Sequence, residues 1–124
     1  MNPTWVLLVI LLLATIVHEG THYVVLKAGG GKPVSALLHH SSKRLIWSLG
    51  LGWAYDPKNV SLKTRRWSFL LGPLAELMVW SVTAALLGGL IGLSCALIGI
   101  VMHIGQWLLP GGDGRKWFQL KRLA

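Results

Sequence analysis

Residues 5–26 read WVLLVILLLATIVHEGTHYVVL, an apolar run interrupted only by the HEGTH stretch at 18–22. The run is long enough to cross the hydrocarbon core of a bilayer as one helix. No Lys or Arg precedes it, and polar residues stand where a signal peptidase site would need small ones. We therefore interpret it as a retained transmembrane span.

A second apolar run covers residues 67–109, where Glu76 and His103 are the ionisable residues. As one helix it would measure about 65 Å, roughly twice the thickness of the hydrocarbon core. The chain must therefore fold back, and glycine marks the place because it weakens helix preference. The expected turn residues are Gly88, Gly89 and Gly92. The sequence thus predicts three spans, at 5–26, 67–87 and 91–109.

Composition supports a membrane protein. Of the 124 residues, 53% are hydrophobic and 13% are charged, whereas soluble domains are about 25% charged. The net charge of +8 comes from 12 Lys and Arg against four Asp and Glu. All 12 basic residues fall in segments 27–66 and 115–122, on one side of a three-span arrangement. The positive-inside rule then predicts an outside N-terminus and a cytoplasmic C-terminus, and the membrane explains the charge better than nucleic acid does.

The loop between the first two spans contains two short segments, 34–40 and 44–55, that are apolar and partly β-branched or aromatic. Such segments favour strands. We therefore predict an all-α membrane protein of one domain, 1–124, with a short β-hairpin-like cytoplasmic loop. His39 and His40 lie in this loop beside serines and are interpreted as solvated. The tail at 117–124 reads as a basic amphipathic segment lying on the inner leaflet.

HEGTH fits the pattern H-E-x-x-H. Residues i and i+4 share one face of a helix, so His18 and His22 can bind one metal ion. Glu19 can then act as the general base of a zinc hydrolase. Ionisable residues within a span are costly and usually functional. The alternative is that these side chains only satisfy one another between helices.

A catalytic zinc ion usually has three protein ligands, so a third must come from elsewhere. The candidates are Asp113 in LLPGGDG at 108–114, Glu76 and His103. Helical rise places Glu76 and His18 at a similar depth, about 14 Å above the cytoplasmic boundary. Depth alone favours Glu76. His103 is otherwise expected to form hydrogen bonds between helices.

The chain resembles the site-2 protease family of intramembrane zinc metalloproteases. HEGTH resembles the family's metal-binding helix, and Gly72-Pro73 in LLGPLAEL at 70–77 resembles its Gly-Pro motif. The segment 108–114 resembles its Leu-Pro…Asp-Gly motif, so that the resemblance covers residues 5–117. It implies that Asp113, rather than Glu76, is the third ligand of one Zn²⁺ per chain. It also implies cleavage of a peptide bond in or near the membrane, with the substrate added to a strand edge.

The sequence departs from that family at two positions. Glu76 and Trp107 stand where the family commonly has Asn. The substrate-binding and oxyanion groups are therefore in question, whereas His18, His22 and Glu19 are not affected. Glu76 can instead orient a zinc-bound imidazole, contact water or substrate, or simply pack between helices. The chain reads as a divergent, minimal member.

Three functions follow as hypotheses. The first is an intramembrane zinc endopeptidase that acts on a membrane protein or peptide. The second is a catalytically inactive metal-binding scaffold or complex subunit, and the third is a small transporter or channel subunit. Three spans leave much helix surface exposed, so a second copy or a membrane partner is expected beside the lipid. A bacterial inner membrane is the simplest location.

Overall fold

The computed structural model describes residues 2–35 and 52–123, with only the backbone of Ser35. It is mostly helical, and three of its helices are long and apolar enough to cross a membrane. The prediction of three long apolar helices is thereby confirmed, and the architecture is compatible with an integral membrane protein. The elements are α1 (Pro3–Ala28), β1 (Val34–Ser35), β2 (Trp53–Ala54), a 3-10 turn (Pro57–Asn59), α2 (Leu62–Leu87), α3 (Gly89–Leu108) and α4 (Asp113–Arg122).

Local signals set the ends of the first two long helices. The side chain of Asn2 accepts a hydrogen bond from the backbone N–H of Thr4 at 2.9 Å, and Pro3 occupies the first turn of α1. These are the residue types that helix N-termini favour. Ser61 caps α2 in the same way through the N–H of Thr64. Each helix extends a few residues beyond the predicted apolar span because its caps lie outside that span.

The turn between α2 and α3 lies at Gly88 and Gly89, as predicted. Their φ angles of 58° and 54° fall in the region that residues with a Cβ rarely adopt. The prediction that Gly92 belongs to this turn is wrong. Gly92 lies within α3, where a Cβ would come within 2.6 Å of the carbonyl oxygen of Ala84. It therefore serves close packing of α3 on α2.

Helix α2 is the central element, since α1, α3 and α4 all pack against it. The core contains Ile10, Ala14, Trp80 and Cys95. Gly99 lets α3 approach Trp80, because a Cβ there would lie 2.5 Å from the Trp80 side chain. Outside this core, the long helices expose many large apolar side chains. Such a surface is suited to lipid rather than water.

The loop between α1 and α2 is described only at its two ends. Val34 pairs with Ala54, and Ser35 with Trp53, in an antiparallel two-stranded sheet. Most of the predicted strands, 34–40 and 44–55, lie within residues 36–51, outside the described residues. His39 and His40 lie there too. The full β-hairpin therefore stays a prediction.

Candidate metal centre

The helical spacing of HEGTH places two imidazoles side by side. His18 and His22 are each 6% exposed, and their Nε2 atoms lie 3.0 Å apart. One turn of α1 separates the two residues, so both rings face α2 and the start of α4. The pair lies in the C-terminal half of α1, toward the end where α2 begins.

The connection between α3 and α4 supplies a carboxylate. Asp113 Oδ2 lies 2.8 Å from the Nε2 atom of each imidazole. The backbone N–H of Asp113 donates to Gln106 Oε1 at 3.1 Å, which ties the start of α4 to the end of α3. A Cβ at Gly112 would overlap the carbonyl oxygen of Gln106. The tight packing of this glycine is what allows Asp113 to reach the histidines.

Polar side chains of α2 hold the outer nitrogen of each ring. His18 Nδ1 lies 2.7 Å from Glu76 Oε2, and His22 Nδ1 lies 2.9 Å from Ser68 Oγ. A carboxylate can only accept, so His18 Nδ1 carries the proton and donates it to Glu76. Ser68 can accept from His22 in the same way. Both Nε2 lone pairs then face the centre of the site, as metal-ligating histidines require.

The close approach of His18 Nε2, His22 Nε2 and Asp113 Oδ2 favours a cation between them. With both Nδ1 atoms protonated, two lone pairs and a carboxylate oxygen meet at 2.8–3.0 Å, which is repulsive unless a proton or metal ion lies among them. Two imidazoles and one carboxylate form a donor set that zinc accepts. Tetrahedral ligands about 2.0–2.1 Å from zinc are separated by roughly 3.3 Å, so a small outward movement accommodates the ion. His18, His22 and Asp113 therefore fit a bound metal.

Gly72 makes room for this arrangement. A Cβ at this position would lie 2.6 Å from His22 Nε2 and 3.3 Å from His18 Nε2. Any side chain here would displace the imidazoles that α1 presents to α2. Pro73 follows it inside α2 and is buried. Gly72 of the Gly-Pro pair thus lies directly against the two histidines.

Glu19 lies beside the cluster and is half-buried. In the described part of the chain its carboxylate forms no hydrogen bond or ion pair, whereas its backbone carbonyl accepts from Trp53 Nε1 at 2.8 Å. A Cβ at Gly20 would meet nothing within 4 Å. Among residues 2–35 and 52–123, nothing covers Gly20 on this side of α1, and the neighbouring Glu19 carboxylate has no partner.

The electrostatic surroundings of Asp113 favour the carboxylate form. Burial alone would raise the pKa of its carboxyl group. When the imidazoles carry a proton on Nε2, their hydrogen bonds to Asp113, together with the charge of His22, overcome that effect and hold the pKa of the carboxyl group below its usual range. Lys116 contributes from 3.4 Å.

The other two candidates for the third ligand occupy different places. Glu76 contacts the outer nitrogen of His18 instead of the shared centre. Comparison of helical rise correctly predicted that Glu76 lies at the depth of His18. It did not predict on which side of the imidazole Glu76 lies. His103 is not among the three converging residues. It accepts from Trp107 Nε1 at 3.1 Å, and because both residues belong to α3, this bond lies within one helix rather than between helices as predicted.

Three further residues of the site were not singled out from the sequence. These are Ser68, Gln106 and Trp53, which contact His22, Asp113 and the carbonyl of Glu19 respectively. Ser68 could have been found by the depth comparison that singled out Glu76, because it is a polar residue near the start of the same span. Gln106 and Trp53 act through tertiary contacts for which the sequence has no local signal.

Comparisons with protein-family models, curated proteins and solved structures gave no match to this chain. The functional interpretation therefore depends on the site itself. Three ligand-type atoms converge, two outer partners orient the imidazoles, and a separate carboxylate lies at the open side. This arrangement can bind a metal ion and accept a proton next to it.

Proposed function

We propose that this chain is a zinc-dependent endopeptidase that hydrolyses a peptide bond in or near a transmembrane segment of a membrane protein. His18, His22 and Asp113 would hold one Zn²⁺. The convergence of His18 Nε2, His22 Nε2 and Asp113 Oδ2 within 3.0 Å, among apolar helices, carries the proposal. We further propose that the chain is a divergent, minimal member of the site-2 protease family.

When bound, zinc supplies Lewis-acid activation of water and of the scissile carbonyl. Glu19 is proposed as the general base and acid. Its carboxylate accepts a proton from the attacking water and then gives it to the leaving amine nitrogen. The open surroundings of Gly20 and the lack of a partner for the Glu19 carboxylate in the described residues support this role. Water and substrate would enter on that side.

The strand next to the site supports binding of an extended substrate. Trp53 of β2 donates to the carbonyl of Glu19, and its ring packs 4.9 Å from the ring of Tyr23. These contacts hold β2 alongside the HEGTH turn. An unwound substrate segment could pair with such a strand by β-addition, which exposes its peptide bonds. A helical substrate would instead shield them with its own hydrogen bonds.

Replacement of Glu19 by Gln tests this function. Wild-type protein and Glu19→Gln would be reconstituted in liposomes with a panel of single-span transmembrane peptides, and cleavage would be followed by mass spectrometry. We expect zinc to stay bound in the variant and cleavage to fall by about a hundredfold or more, because the base is lost. Unchanged cleavage in Glu19→Gln would rule out the mechanism.

The scaffold alternative is distinguished by the same experiment. A scaffold would bind zinc in the wild-type protein but cleave none of the peptides, with or without Glu19. The Glu19 carboxylate beside the ligands has no partner in the part of the chain that the structure describes. This favours the enzyme, because a purely structural zinc site has no need of a base. A transporter or channel subunit would keep its function after removal of zinc.

A further inference from the structure

Three of the four acidic side chains of this chain lie at or beside the metal site. The sequence contains four, namely Glu19, Asp56, Glu76 and Asp113. Three of them lie around the imidazoles, and Asp56 caps the 3-10 turn by accepting from the N–H of Lys58. Within the described ranges, one carboxylate is paired with a lysine or arginine: Asp113 forms an ion pair with Lys116. With 12 basic residues, the chain has far more positive charge than it can neutralise itself.

Much of this charge surrounds α4. Arg66 of α2 and Lys121 lie 5.3 Å and 5.5 Å from the ring of Trp117. Arg66 Nε is buried without a hydrogen-bond partner in the described part of the chain. Phe118, which is 49% exposed, packs against Trp117. We define the α4 surface as Arg66, Arg115, Trp117, Phe118, Lys121 and Arg122.

The α4 surface lies where the headgroups of a membrane would be. Arg66 belongs to the first turns of α2, just before its apolar part, and it contacts α4 directly. Exposed aromatic and basic side chains at a helix end are typical of the membrane interface. The surface combines both types and has no acidic counterpart. An anionic lipid headgroup complements it in charge and position.

We propose that the α4 surface binds anionic phospholipid headgroups of the adjoining leaflet, and that this contact holds Asp113 on the metal site. The inference rests on the proposed metal site. Asp113 is the first residue of α4, and Gly111 and Gly112 join that helix to α3. Because a helix moves as a unit, binding of α4 to the membrane surface also fixes the position of its first residue, Asp113. Anionic lipid therefore acts as a positive effector of metal binding.

Metal affinity in bilayers of different charge tests this inference. The full chain would be placed in nanodiscs of phosphatidylcholine alone, or with phosphatidylglycerol as about a third of the lipid. Zinc affinity would be measured by chelator competition. We expect binding about fivefold tighter in the anionic discs, the effect of roughly one basic residue at a charged surface. Lys121→Gln/Arg122→Gln should lose this difference.

The control is Lys32→Gln/Lys58→Gln, which removes the same charge from exposed positions outside α4. It should retain the lipid effect. If both double variants bind zinc more tightly in the anionic discs than in the neutral ones, and to the same extent, the anionic bilayer merely concentrates zinc near the protein. That result would overturn the inference. Equal wild-type affinity in both discs would overturn it while leaving the metal site intact, whereas no binding in either would refute the proposed function as well. Tightening by soluble polyglutamate, without a lipid effect, would assign the surface to an acidic protein instead.

Discussion

Gly72 shows how strictly the site constrains residues that are not themselves ligands. Replacement by Ala would place a Cβ 2.6 Å from His22 Nε2, so we expect the imidazole to move and zinc affinity to fall by at least about tenfold. Gly20→Ala is the matched control, because a Cβ there meets nothing within 4 Å. Chelator competition on both variants measures the effect. Equal affinities would show that the imidazoles do not depend on the space at Gly72.

Glu76 tests the role of the outer hydrogen bonds. Its carboxylate accepts from His18 Nδ1 at 2.7 Å and so fixes which nitrogen faces the metal. We expect Glu76→Ala to lower zinc affinity about 10- to 100-fold, and Glu76→Gln, which keeps an acceptor, to lower it less. The measurement is again zinc competition, with Thr83→Ala on the same helix as a control. Wild-type affinity in Glu76→Ala would assign this contact to packing alone.

The sequence predicts ligands that lie close together on one helix more readily than a ligand that lies far along the chain on another helix. His18 and His22 follow from helix periodicity, because both lie on one helix. For a third ligand on another helix, periodicity gives height but not direction around the axis. Predicted depth in the membrane favoured Glu76 as the third ligand, and only the resemblance to the site-2 protease family favoured Asp113. The structure places Glu76 against the outer nitrogen of His18 and Asp113 against the inner ones.

At the scale of elements, the connection from α3 to α4 determines the position of Asp113. A Cβ at Gly112 would overlap the carbonyl oxygen of Gln106, whereas a Cβ at Gly111 meets nothing within 4 Å. We therefore expect Gly112→Ala to shift the start of α4 and lower zinc affinity by about tenfold or more. Gly111→Ala should behave like wild type in the same titration. The opposite order would contradict the proposed packing of this connection.

The elements also show where sequence reasoning is strong. Three long apolar helices and the turn at Gly88 and Gly89 follow from hydropathy and glycine placement. Gly92 was assigned to the turn because local sequence does not distinguish a turn glycine from one that permits close packing against Ala84. The strands within residues 36–51 stay a prediction.

At the scale of the whole molecule, the distribution of charge predicts orientation. All 12 basic residues flank the same ends of the three spans, so the N-terminus should be outside. In a Cys95→Ser background, we expect Asn2→Cys to react with an impermeant maleimide in intact bacterial cells. Leu123→Cys should react only after lysis. Labelling in the reverse pattern would contradict the orientation, and with it the placement of the α4 surface on the inner leaflet.

The metal content of the detergent-purified protein, measured by elemental analysis, tests the central claim most directly. We predict about one zinc per chain in the wild type, and loss of that zinc in both His18→Ala and Asp113→Ala, because each removes one of three ligands. Glu19→Gln, prepared alongside, should retain the metal. Zinc retained in Asp113→Ala would contradict the assignment of the third ligand. Wild-type protein without zinc after purification in zinc-replete buffer would contradict the proposed metal centre.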